Sequence, residues 1–194
     1  MLESLRILLA SLALLGGTAA IASEVEIVRV DFDLEQQDGA RDPWYAISVV
    51  LSVAEGERGA EGNPRFADDI TVSLALATEV NRGSGRAYEF YAAKADYPSL
   101  EVGQHVARFY LPPEIVKRDR VRGEPFAYEI ELLSREGLKF ALVSPNLERP
   151  GALQSFRSQV AAGAAGSSEL RLQHQTPFAW LYPRNTPNPR LGSQ

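Results

Sequence analysis

Across residues 69–95, two runs of alternating side chains flank a short glycine-bearing segment. Ile70, Val72, Leu74, Leu76, Thr78 and Val80 occupy every second position, with Thr71, Ser73, Ala75, Ala77 and Glu79 between them. A period of two gives a strand one buried face and one wetter face. Past Gly83 and Gly85 the alternation resumes, with Tyr88, Phe90 and Ala92 against Ala87, Glu89 and Tyr91. Two such runs about a glycine-bearing turn read as a β-hairpin, and its apolar face has to be covered by the rest of the chain.

The flanking sequence supplies the cover as further strands. Residues 25–34 alternate from Val28 onward (Val28, Val30, Phe32, Leu34), while Val25 and Ile27 fall on the other parity. That switch predicts a bulge, or a strand passing between two sheets. Residues 44–53 place Tyr45, Ile47, Val49, Leu51 and Val53 on one face, residues 105–111 (HVARFYL) form another strand, and residues 126–133 put Phe126, Tyr128, Ile130 and Leu132 together. A turn at residues 134–137 leads into LKFALV, a second hairpin. Residues 55–68 read as an exposed loop, residues 96–103 (with Pro98) as a connection, and residues 114–118 as one helical turn after Pro112 and Pro113. Seven strands with turn signals between them indicate an all-β, immunoglobulin-like antiparallel β-sandwich over residues 23–147, with a closed barrel as the alternative.

After Pro145 the pattern changes. Leu153, Phe156 and Val160 recur at helical spacing, so a short helix is expected to lie on the sandwich; Leu170 and Leu172 alternate as a possible edge strand. The proline-rich tail, with Pro177, Pro183, Pro187 and Pro189, reads as an extended arm carrying Phe178, Trp180 and Tyr182. Residues 148–194 therefore form a helix and an arm. Two roles are open to the three aromatics: anchoring in a partner's groove, or capping the sandwich's own open edge.

The first 22 residues carry Arg6, an apolar run over residues 7–15 and the small-x-small sequence Ala20-Ile21-Ala22. This is the form of a cleaved export signal, with an uncleaved anchor as the alternative; cleavage puts the mature start near Ser23 or Glu24. The expected location is periplasmic, cell-surface or secreted. There is no cysteine, which excludes disulfides, thiolate metal sites and a lipid-anchored cysteine, so the core alone must hold the domain. Net charge is −5 with or without the leader, which gives no electrostatic case for nucleic acid as a partner. No stable membrane span is expected after cleavage.

Few residues look chemical. His105 lies mid-strand with no second ligand at a recognisable spacing, and His174 falls in a polar run. Asp31, Asp33 and Asp38, and the pair Asp68-Asp69, do not follow a calcium-loop spacing and read as solvated faces. No serine stands in a nucleophile motif, and Gly83-Ser84-Gly85 lacks the helix of a phosphate cradle. No cofactor and no metal is expected, and the chain is read as non-catalytic. The local charge anomaly is the run Lys117, Arg118, Arg120 and Arg122, suited to an acidic partner or a phospholipid surface if it is more than a solvated loop.

With its signal-like leader, WYAISVVLSV, HVARFYLPPEIV and FAYEIELLSREGLKFALVSPN, the chain resembles small exported immunoglobulin-like proteins that accompany bacterial type IV pilus or related envelope machinery. The resemblance spans residues 25–147. It implies a non-catalytic role in binding another protein during assembly, as an accessory component, because Gly16-Gly17 is not followed by the long apolar helix of a filament subunit. The candidate partner residues are Phe178, Trp180, Tyr182, Lys117, Arg118, Arg120 and Arg122. A cell-surface adhesin or carbohydrate-binding module, using Trp44, Trp180 and nearby tyrosines, is the alternative.

Overall fold

A computed structural model describes residues 25–56, 63–82, 85–135, 137–163, 169–182 and 184–190; the expected leader lies outside the described residues. Strands β1 (Val25–Glu35), β2 (Trp44–Val53), β3 (Phe66–Arg82), β4 (Gly85–Glu101), β5 (Gly103–Leu111), β6 (Ala127–Ser134), β7 (Gly137–Val143) and β8 (Arg171–Leu172) are joined by helix α1 (Pro113–Asp119) and followed, after β7, by helix α2 (Ala152–Gly163). All pairings are antiparallel, in two four-stranded sheets ordered β1-β2-β5-β8 and β4-β3-β6-β7. The architecture is an all-β sandwich.

The hairpin read from the sequence is its longest pairing, with Phe66 opposite Glu101 and Arg82 opposite Gly85. Ile70, Val72, Leu74, Leu76, Thr78 and Val80 are all buried, and the first four share one core with Tyr45, Ile47, Val49 and Leu51 of β2 and Phe109 and Leu111 of β5. Each fully buried aliphatic contributes about 1.5–3 kcal/mol. On β1 the register shifts between Ile27 and Arg29, so Val28 is the extra residue of the bulge that the parity switch predicted.

Three expectations are corrected. The segment with Pro98 is not a connection: β4 runs through it, because β4 is an edge strand and an edge position does not need the missing N–H. Opposite Pro98, Asp69 adopts φ 52, where both strands exchange their inward parity, from Ala67 and Leu100 to Ile70 and Tyr97. The buried face of β4 is Tyr91, Ala95 and Tyr97, while Phe90 lies on the outer face against Phe156 of α2, ring centroids 6.0 Å apart. The helical turn after Pro112 is two turns long; Pro at the first position and Lys117 and Arg118 in the last turn suit a helix, and Arg120 closes it at φ 54.

Helix α2 covers the outer face of the second sheet as its stripe required. Phe156 is buried against Ala77, Ala127 and Leu147, with Leu153 and Val160 beside it. Arg157 forks onto Glu129 at 2.5 Å and reaches Glu131 at 2.9 Å, which pairs the otherwise buried Glu129 carboxylate. Among the described residues no helix is long and apolar enough to cross a membrane.

Candidate functional site

The sandwich has two sides on which strand edges meet: β4 lies beside β5 and β8 on one, and β1 beside β7 on the other. The C-terminal arm closes the first. Two-residue β8 pairs with Phe109 and Tyr110. Farther along β5, the Val106 amide donates to the Asn185 carbonyl at 2.7 Å, and the Arg190 amide donates to Asp96 on β4 at 2.7 Å. Arg190 also reaches Asp69 at 2.5 Å, a carboxylate shared with Arg135 at 2.6 Å.

Phe178 is therefore not a partner residue. It is 2% exposed, stacked on Tyr110 with centroids 5.0 Å apart and set edge-on to Trp44 at 6.0 Å. The arm returns to the outer face of the first sheet because that face carries Trp44, Ala46 and Tyr110, which burial of one more ring completes. Tyr182, at φ 58, lies over the Arg108 guanidinium and donates to Glu35 at 3.0 Å; that bond and burial raise its pKa. Trp180 stands between them 90% exposed. Trp44, counted with Trp180 in the carbohydrate reading, is buried and has no open face for a sugar.

The basic run divides in the same way. Arg118 donates to Asp119 at 2.6 Å and to Glu169 at 3.1 Å, and the buried Asp119 also accepts from the Tyr91 hydroxyl. The bonds to Asp119 and then Glu169 raise the Arg118 pKa, while burial and Asp119 raise that of Tyr91. Arg118, though itself exposed, is thus held in a bridge that joins α1 to β4 and to the segment before β8. Lys117, Arg120 and Arg122 are exposed.

The remaining candidates do not converge. His105, opposite Leu51, which is itself opposite Ile27, lies four residues along the sheet from Asp31; its Nε2 meets the Glu101 carbonyl at 2.6 Å. Asp31 pairs with Arg29 at 2.9 Å. Among the described residues no three His, Asp or Glu side chains cluster for a metal. His174 is half-buried rather than solvated, with Nδ1 unpartnered among the described residues, and burial lowers its pKa. The unfolded chain therefore binds more protons than the folded one once pH falls below about 6.5, and this contribution to stability is full above that pH and declines beneath it. Thermal melting from pH 8 to pH 5 is expected to show a steeper acid decline in the wild type than in His174→Gln.

The sequence reading missed the second side. On β1 the bulge at Val28 and the charges of Arg29, Asp31 and Asp33 blunt the edge. Strand β7 has a bulge of its own at Lys139, where its register with β6 shifts, but it is the outer strand of its sheet, Leu138 is 56% and Phe140 38% exposed, and Ala141 beyond the bulge is open as well. Since the Ser144 amide donates to Tyr128 of β6, alternation turns the Ala141 amide away from β6. The available signal was LKFALV itself, six residues with one charge, the composition of an edge that pairs readily.

No family model matches the chain, and no curated protein is found similar to it. Among solved structures, a crystal structure of a protein from Akkermansia muciniphila superimposes with a TM-score of 0.67 at 18% identity, covering 88% of this chain and 94% of that one. The likeness is one of fold.

Proposed function

We propose that the chain is a non-catalytic, exported protein-binding module with an immunoglobulin-like strand order, serving as an accessory component of cell-envelope or type IV pilus-related assembly. Support for the strand order comes from the crossings β2 to β3 and β5 to β6, each of which changes sheets as in Greek-key sandwiches. The observation that carries the binding role is the asymmetry of the two sides. A whole arm seals β5 and β4, whereas β7, beyond its bulge at Lys139, offers an outer edge with Leu138 and Phe140 exposed. An incoming strand gains main-chain hydrogen bonds there, and the alternate side chains select it.

The test is capture from envelope extracts by the wild type, by Leu138→Lys/Ala141→Lys and by Trp180→Ala. Two lysines on an exposed edge change stability by no more than about 0.5 kcal/mol each, so the fold is retained. The expected result is that the β7 variant loses the captured proteins and Trp180→Ala keeps them. Equal capture by the β7 variant counts against the proposal. The solvent-facing Trp180 ring supports the second reading, a carbohydrate-binding module; quenching of tryptophan fluorescence by a glycan, abolished in Trp180→Ala, is its signature.

A further inference from the structure

The backbone of the arm holds one large apolar ring out in solvent. Trp180 is 90% exposed, and its neighbours Leu181 and Tyr182 are 46% and 45% exposed. Phe178, two residues before it, is stacked on Tyr110, and Tyr182, two residues after, lies 4.2 Å from the Arg108 guanidinium. Between these anchors the Leu181 amide donates to the Phe178 carbonyl at 2.9 Å, a β-turn with Trp180 at its third position. The buried Gln173 donates from Nε2 to the Phe178 carbonyl at 2.9 Å and to the Leu181 carbonyl at 2.6 Å, one on each side of Trp180. Tyr182 closes the turn at φ 58, a conformation costly for a bulky side chain. The exposure of the ring is therefore built into the fold.

The charge around this tip runs against that of the chain. Net charge is −5, yet residues 170–194 contain Arg171, Arg184 and Arg190 and no Asp or Glu. Arg190 is paired with Asp69. Arg171 and Arg184 are exposed and make no ion pair among the described residues. Arg171 lies 5.8 Å from the ring of Trp44, which packs on Phe178, and Arg184 follows Tyr182 by two residues. A cation thus stands on either side of the tip along the chain. The Glu35 carboxylate beneath it already accepts from the hydroxyls of Tyr110 and Tyr182.

We propose that the Trp180–Leu181 tip inserts into the headgroup region of an anionic lipid surface, with Arg171 and Arg184 against the lipid phosphates. Tryptophan favours that boundary because its ring is apolar and its N–H remains wet. Apolar insertion and cationic attraction together give a reversible attachment, which neither signal gives alone. A protruding ring enters a soft interface with no preformed pocket on the other side. A sugar would need hydrogen-bonding side chains beside the ring, but Ala179 and Leu181 offer none and the Tyr182 hydroxyl is committed to Glu35. The inference goes beyond the partner-strand reading and uses none of β7.

The test is tryptophan emission of the full chain titrated with vesicles of phosphatidylglycerol and phosphatidylcholine in equal parts, beside phosphatidylcholine alone. Trp44 is buried and the first 22 residues contain no tryptophan, so a change of emission reports Trp180. That leader is common to every variant, so differences among variants belong to the tip. A blue shift is expected with the anionic vesicles and not with the neutral ones. The lipid concentration for half the shift should rise about tenfold in Leu181→Ser, and about twentyfold in Arg171→Gln/Arg184→Gln. Denaturant midpoints should be unchanged in both, because the substituted side chains are exposed. No shift on anionic vesicles, an equal shift on neutral ones, or an undiminished shift in either folded variant would each overturn the proposal. So would a shift produced only by a soluble glycan or a soluble envelope protein.

Discussion

Phe178→Ala is expected to destabilise the chain by about 3–5 kcal/mol, the range for removing a buried phenylalanine ring. The ring fills the gap between Tyr110 and Trp44, and those two cannot close over the void: Tyr110 is anchored to Glu35 at 3.2 Å and Trp44 is set at 83° to Tyr110. The backbone around it is equally committed. The Phe178 amide donates to Thr176 Oγ1 at 3.1 Å, and Gln173 Nε2 donates to the Phe178 carbonyl at 2.9 Å. Against a total of about 5–15 kcal/mol for a domain, the loss is a large fraction. Denaturant melting measures it, and protease cleavage after Leu172 should accelerate in parallel as the arm lifts. An unchanged midpoint with lost partner capture would instead return Phe178 to the partner surface.

Arg118→Ala is expected to cost about 2 kcal/mol. The buried Asp119 would lose its forked cation, and an unpaired buried charge costs about 3–5 kcal/mol. The guanidinium is 47% exposed, however, so water screens part of the pair and replaces part of what is lost. The Tyr91 hydroxyl also remains on Asp119. Lys117→Ala and Arg122→Gln, by contrast, should shift stability by less than about 0.5 kcal/mol. Denaturant midpoints of the three variants give the comparison. Equal effects across the run would mean that it acts as a general charge field and not through one buried contact.

The parts of this fold visible in sequence are those with a local period. Alternation in residues 70–80 named the buried face, the parity switch at Val28 located a bulge, and the stripe of Leu153, Phe156 and Val160 placed α2 on the sandwich. Strand β4 was harder because α2 makes its outer face apolar too: Phe90 and Tyr91 are adjacent, and both are covered. Pro98 looked like a break because its tolerance depends on β4 being an edge, which only the sheet order decides.

The candidate sites were least legible, since each depends on a non-local neighbour. Phe178 and Trp180 are two residues apart in one proline-rich segment, yet one is buried on β5 and the other open to solvent. What separates them is Tyr110, far away in sequence. Arg118 and Arg120 likewise differ by Asp119 and Glu169 beneath one and an open cleft beside the other. Thr78 carried a real signal, a hydroxyl within an aliphatic series, but its lack of a partner among the described residues exists only in three dimensions.

The central claim is that the arm seals one side of the sandwich and leaves β7 open for a partner strand. Backbone amide exchange of the isolated full chain, resolved by residue, tests it most directly. Slow exchange at Val106, whose amide the Asn185 carbonyl covers, together with rapid exchange at Ala141 on the outer edge of β7, is the predicted result. Rapid exchange at Val106, or protection of Ala141 in the isolated chain, would contradict it.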